Sequence, residues 1–196
     1  WYDNNKRTLP WRVGKRSANK LYYRVLSEFM LQQTQVKTVI PYFEKFTKEF
    51  QNLNSLSKAS EKKILKLWEG LGYYRRARNL LATSKILVNK FNLKLPREID
   101  QIKTLPGVGD YTSNVLAALI YNKPTLAFDG NVKRFISRII NKEVKKIDFE
   151  SFKNINRKKI FNTNRNSDLV EAMMEFGALV CSSKIPKCQI CPVKRN

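Results

Sequence analysis

The sequence predicts an all-α fold, and three observations carry that expectation. Apolar residues recur at helical spacing along nearly the whole chain, alternating strand patterns are absent, and Gly and Pro punctuate the joints. We expect about nine or ten short helices, with no internal repeat and no low-complexity linker between them.

Taken in order, "LYYRVLSEFMLQQ" puts Leu21, Tyr22, Val25, Leu26, Phe29 and Met30 on one wide apolar arc. "SEKKILKLWEGLG" opens with a capping signal at Ser60, and Ile64, Leu65, Leu67 and Trp68 form its apolar side. Gly70 and Gly72 end that helix, and "RRARNLLATSKILVNKF" makes the next. Pro96 and Pro106 bracket a short helix at "EIDQIKTL", followed by another at "DYTSNVLAALIY". Further helices are expected at "NVKRFISRII", "IDFESFKNI" and "SDLVEAMMEFGALVC".

Composition bounds the function. Hydrophobic residues make up 42% of the 196, which is a globular rather than a disordered balance. No apolar run approaches the ~20 residues of a bilayer span, and "WYDNNKRTLPW" lacks a signal-peptide core, so a cytoplasmic location without membrane is expected. The chain starts at Trp1 rather than Met, which reads as an excerpt of something longer. Thirty-eight Lys and Arg against sixteen Asp and Glu give +22, an excess that points to a polyanion, most often nucleic acid. The same excess also fits a Lys- and Asn-rich bias spread over solvated faces. With no histidine, acid–base chemistry falls to carboxylates, Lys, Tyr, Cys or water.

Three motifs bear chemistry. In "LPGVGDY", Gly107 and Gly109 flank Val108, allow positive φ and close backbone approach, and a helix begins at Asp110 or Tyr111. Amides at that helix start suit a phosphate oxygen, although such a turn also serves as a plain tight connection. In "KPTLAFDGNVKR", Pro124 and Gly130 frame Asp129, which reads as a helix N-cap with its carboxylate ionised, before Asn131. In "SEFMLQQTQVKTVIPYF", Glu28 stands at the margin of the apolar arc, where dehydration would raise its pKa as a general acid needs. Periodicity alone favours a surface glutamate paired with a cation such as Arg24. Cys181, Cys188 and Cys191 stand at C-x6-C-x2-C spacing, whose odd count and clustering point to a metal in a reducing compartment rather than to disulfides.

"LPGVG" followed by a Gly/Pro-framed Asp resembles the signature of the helix–hairpin–helix DNA glycosylase superfamily. Together with "LPW" at 9–11, "MLQQTQV", "GLGYY-x-RARNL" and "DGNVKR", the chain resembles adenine DNA glycosylases of the MutY type along its whole length. The resemblance implies a two-lobed fold. A six-helix barrel lobe would span 16–125, with the hairpin at about 98–121, and residues 1–15 and 126–196 would form an iron–sulfur lobe. Glu28 would protonate adenine at N7 and Asp129 would support the positive sugar, while Gln33 and Tyr73 would intrude into the duplex. Gly107, Val108, Gly109 and Asn131 would meet the backbone, and Trp11, Arg12, Leu31 and Glu171 would line the adenine pocket. Trp11 reads equally well as core.

Relatives resembling endonuclease III carry a Schiff-base lysine where this chain has Tyr111, so a monofunctional glycosylase is expected, with Tyr111 supporting the intermediate. The implied substrate is double-stranded DNA with adenine opposite 8-oxoguanine or guanine, bound by a monomer in a bacterial nucleoid. The rivals are a pyrimidine-damage glycosylase with lyase activity and a non-catalytic DNA-binding module. The family spacing C-x6-C-x2-C-x5-C implies a [4Fe–4S] cluster in place of zinc, its fourth cysteine at the position after Asn196. Such a cluster would staple Lys184, Lys187, Lys194 and Arg195 into a basic loop. The family's C-terminal 8-oxoguanine-recognition domain has no counterpart in these residues.

Overall fold

The computed structural model describes residues 1–14 and 16–194, and among them every regular element is helical. The α-helices are α1 (Tyr2–Asn5), α2 (Lys20–Leu31), α3 (Val36–Glu49), α4 (Leu53–Ser57), α5 (Glu61–Trp68), α6 (Arg75–Asn89) and α7 (Ile99–Lys103). They continue as α8 (Asp110–Tyr121), α9 (Gly130–Ile139), α10 (Phe149–Ile155), α11 (Arg157–Ile160) and α12 (Asn166–Leu179). Two 3₁₀ turns lie at Val144–Lys146 and Cys188–Ile190. No described helix is long and apolar enough to cross a membrane. The chain forms two compact units, one from residues 8–116 and one from 1–7 with 117–196, so the division falls inside α8.

In the 8–116 unit, α2 packs on α3 and α6, while α6 also packs on α4 and α5. Its core is aromatic: Phe43 meets Trp11 and Tyr23 edge-on, and Phe46 meets Trp68 edge-on at 5.7 Å. The sequence pattern named no helix over 36–49, yet α3 is among the longest, with Pro41 inside it. Proline forfeits one helical hydrogen bond, but Val39, Phe43 and Phe46 share a face and are all buried. Burying each is worth about 1.5–3 kcal/mol, which outweighs the lost bond. Helix α4 was likewise unforeseen, and a reciprocal cap between Asn52 and Ser55 starts it. Ser60 caps α5 as expected, and Gly70 and Gly72 follow it with φ 91° and 73°. Tyr22, whose hydroxyl donates to Phe50 O at 2.7 Å, has its pKa pushed up by burial.

In the other unit, α9 and α1 both pack on α12. Arg7 grips the buried Glu175 of α12 through Nε and Nη2 at 2.9 and 3.0 Å. Arg165 holds Asp3 and Asp168, and Trp1 stacks edge-on against Phe176. The first seven residues are thereby tied to α12 and to Arg165 just before it, about 160–175 positions downstream.

Candidate active site

Glu28 lies in the last turns of α2 and is 9% exposed, so it is a buried carboxyl and not the surface glutamate that periodicity favours. Beyond α2 the chain turns sharply. Gln33 is exposed with φ 57°, and Tyr73, in the turn after α5, is 65% exposed with φ 47°. Left-handed backbone costs a residue with a Cβ about 1–2 kcal/mol, so both turns need external support. The buried Arg76 supplies it, with Nη1 donating to Met30 O and Gln32 O and Nη2 to Leu71 O and Gly72 O. Burial holds the Arg76 pKa below the usual guanidinium value, with the Tyr73 phenol acting in the opposite direction. Trp68 Nε1 donates to Gly72 O at 2.9 Å, adding a second clamp on the Tyr73 turn. Sequence reasoning missed Arg76, although a basic residue inside the "GYY-x-RARNL" run was its visible signal.

The hairpin joins the same group. Gln32 Nε2 donates to Gly107 O at 3.2 Å and Thr83 Oγ1 to Pro106 O at 2.9 Å. Gly107 adopts φ 77°, and a Cβ there would meet Asn79 Nδ2 at 2.6 Å and Phe29 Cε1 at 2.9 Å. Gly109 differs from the expectation, since its φ is not left-handed and a Cβ would meet nothing within 4 Å. Packing therefore explains a glycine at 107 and does not account for one at 109. Val108 is buried, and Tyr111 stands half-buried in the first turn of α8, which starts at Asp110.

Asp129 is the N-cap of α9, its Oδ1 accepting from Val132 N at 2.7 Å. Its Oδ2 accepts from Asn131 Nδ2 at 3.1 Å, and Asn131 Oδ1 in turn accepts from Arg134 Nη2 at 2.8 Å. Arg134 also donates to Gly177 O and Cys181 O. The carboxylate is thus fixed by a cap and by a side-chain amide that an arginine orients. Arg134 escaped sequence reasoning because two of its acceptors, Gly177 O and Cys181 O, lie more than forty residues away.

The pocket candidates have separate surroundings. Trp11 is buried edge-on to Phe43, Arg12 is half-buried, and Leu31 ends α2 half-buried. Glu171 is buried on α12 and its Oε2 accepts from the Tyr2 hydroxyl at 2.9 Å. Glu28, Leu31, Gln33, Tyr73 and residues 107–109 belong to the 8–116 unit, as do Trp11, Arg12 and Tyr111. Asp129, Asn131, Glu171 and the cysteines belong to the other.

Cys181, Cys188 and Cys191 are free thiols that line one cavity of about 320 Å³, walled by Phe135, Ile139, Phe176 and Val180. Arg138, Lys187 and Lys194 add positive charge, and Arg138 Nη1 approaches Cys181 Sγ at 3.4 Å. Among the described residues no three His, Cys, Asp or Glu side chains close on a point suited to one metal ion. A cluster distributes its thiolates over several irons, so a shared cavity is the relevant test, and soft sulfur donors near cations meet it. Arg195 of the expected basic loop lies outside the described residues.

A family model described as HhH-GPD superfamily base excision DNA repair protein matches residues 26–160. The chain belongs to the HhH-GPD superfamily. Within it, the chain is 42% identical over 99% of its length to an adenine DNA glycosylase of Buchnera aphidicola subsp. Baizongia pistaciae, covering 54% of that protein. It is 36% identical over 99% of its length to an adenine DNA glycosylase of Mus musculus, covering 39% of it. The chain spans about half the length of the bacterial relatives it matches in Buchnera. Among solved structures it is similar to a thermostable thymine-DNA glycosylase, with TM-score 0.82 at 23% identity over 97% of this chain and 87% of that one. An endonuclease III–DNA complex gives TM-score 0.75 at 22% identity over 92% and 84%. The all-α helix–hairpin–helix glycosylase fold expected from the sequence is the fold observed.

Proposed function

We propose that this protein is a monofunctional adenine DNA glycosylase, removing adenine opposite 8-oxoguanine or guanine in duplex DNA. The observation that carries the reading is the 42% identity to an adenine DNA glycosylase along 99% of the chain. The site chemistry supports it. The hairpin and the net charge of +22 hold the phosphate backbone, acting as a monomer on duplex DNA. Gln33 and Tyr73, exposed on strained turns, enter the stack and favour extrusion of the base.

Glu28 gives a proton to adenine N7, turning the departing base from an anion into a neutral leaving group. The C1′–N9 bond then breaks, its electron pair leaving with the base, and the sugar acquires oxocarbenium character. Asp129, held by its cap and by Asn131, supports that charge until water adds to C1′ and releases a proton. Tyr111 flanks the intermediate, and its phenol cannot form an imine, so no strand cleavage follows. Trp11, Arg12 and Leu31 of the one unit and Glu171 of the other are assigned to adenine recognition. Cys181, Cys188 and Cys191 would hold a [4Fe–4S] cluster as three of its ligands. When bound, it supplies iron–thiolate cross-links that fix the cysteine loop.

The test is a duplex with a labelled adenine opposite 8-oxoguanine, treated with protein and then with or without hot alkali. Strand breaks only after alkali are expected. Breaks without alkali would establish a lyase, and binding with no abasic product would reduce the protein to a DNA-binding module.

A further inference from the structure

Arg76 binds two separate segments of chain, and each terminal nitrogen of its guanidinium takes one of them. Nη1 reaches Met30 O at 2.7 Å, Gln32 O at 2.5 Å and Thr34 Oγ1 at 3.0 Å. Nη2 reaches Leu71 O at 3.1 Å and Gly72 O at 3.2 Å. Gln32, Thr34 and Gly72 are immediate neighbours of the two exposed left-handed residues, Gln33 and Tyr73, and Met30 and Leu71 lie within three residues of them. The guanidinium also lies 5.5 Å from the Tyr73 ring centroid and 5.4 Å from that of Trp68, and the Arg76 amide donates to Tyr73 O at 2.9 Å. Nη1 has two hydrogens for its several acceptors, so it is shared across the whole turn after α2.

We propose that Arg76 is a positioning residue that locks the Gln33 and Tyr73 turns into one rigid element, so that both side chains enter the duplex together. This rests on the base-extruding function proposed above. A planar fork with two outer nitrogens can hold two segments at once, which the single ammonium of lysine cannot do. A purely packing role for Arg76 would leave the two turns independent of each other.

The experiment reads one turn while the other is perturbed. In the free full chain, hydrogen exchange is followed by mass spectrometry over residues 29–35 and 70–75, with α3 as internal control. Arg76→Lys is expected to speed exchange in both segments about tenfold, the equivalent of one lost net hydrogen bond, and to leave α3 unchanged. Thr34→Val, which keeps Arg76 and removes one acceptor from the first turn, is expected to speed exchange in both turns. Thr34→Val also decides the matter should Arg76→Lys not fold. Loosening confined to residues 29–35 in Thr34→Val, or loosening that extends to α3 in Arg76→Lys, overturns the proposal.

On an adenine·8-oxoguanine duplex, Arg76→Lys is expected to lower single-turnover base release about 100-fold, the scale of an ångström-sized misplacement. Affinity for undamaged duplex should stay within about threefold, because phosphate contacts carry it. Retained release overturns the proposal. A wild-type protein that releases no adenine overturns the functional reading alone, and the exchange data still decide whether Arg76 joins the two turns.

Discussion

Replacing Gly107 by alanine tests the hairpin against its neighbour Gly109, because packing requires a glycine at 107 and not at 109. At 107 the new Cβ must adopt φ 77°, which costs about 1–2 kcal/mol. It must also displace Asn79 Nδ2 and Cβ, met at 2.6 and 2.8 Å, and Phe29 Cε1 at 2.9 Å. Phe29 is fully buried, and overpacking of that kind costs about 1–3 kcal/mol, so the expected loss is about 2–5 kcal/mol. At 109 a Cβ meets nothing within 4 Å, so stability should change by less than about 0.5 kcal/mol. Urea titration followed by circular dichroism measures both, and duplex affinity is measured beside it. Gly109→Ala should keep the wild-type midpoint and weaken duplex binding, as the proposed phosphate contact of the hairpin amides requires. Equal midpoints for the two variants would refute the packing argument, and wild-type affinity in Gly109→Ala would refute the phosphate argument.

Three further outcomes follow from the same geometry. Gly177→Ala brings a Cβ to 2.7 Å of Asn131 Cβ and 2.8 Å of its carbonyl oxygen, so α9 must shift. A loss of about 1–3 kcal/mol is expected by urea titration, together with slower base release as Asn131 leaves Asp129; unchanged stability would contradict it. Asp148 caps α10, and the Ser151 hydroxyl first, then the Ser151 and Glu150 amides, hold its pKa below the ordinary 3.8. Its contribution to stability is therefore complete above that value and is lost as pH falls through the lower folded pKa. Asp148→Asn should lower the denaturation midpoint near neutral pH (about 7) and leave it less sensitive to acid below about 3.8, as a pH series of midpoints would reveal. Duplex affinity should fall linearly on a log–log plot against salt, and a flat response would exclude phosphate contacts as its source.

Helix existence was legible in the sequence where apolar spacing ran long, as in α2 and α6, or where a cap marked the start, as Ser60 does for α5. Helix α3 was not, since Pro41 breaks the local rule and only the burial of Val39, Phe43 and Phe46 restores it. The short α1 and α11 carry too few residues for a period to register. Motif chemistry was legible wherever one residue type stands at a special backbone position, as with Asp129 at the start of α9. The exposure of Glu28 was misread from periodicity because the margin of an apolar arc is buried or exposed according to what packs beside it. The roles of Arg76 and Arg134 were harder to read for a different reason. Most of their acceptors are backbone carbonyls, several brought near only by the fold, and a backbone acceptor leaves no trace in residue identity.

Glu28 carries the central claim, and a single variant tests it. Adenine release from a duplex with adenine opposite 8-oxoguanine is followed under single-turnover conditions for wild type and Glu28→Gln, with duplex affinity measured in parallel. The account predicts a fall in release of about 10²–10⁴-fold or more, the range of a lost general acid, with affinity nearly unchanged. Release at the wild-type rate by Glu28→Gln would contradict it.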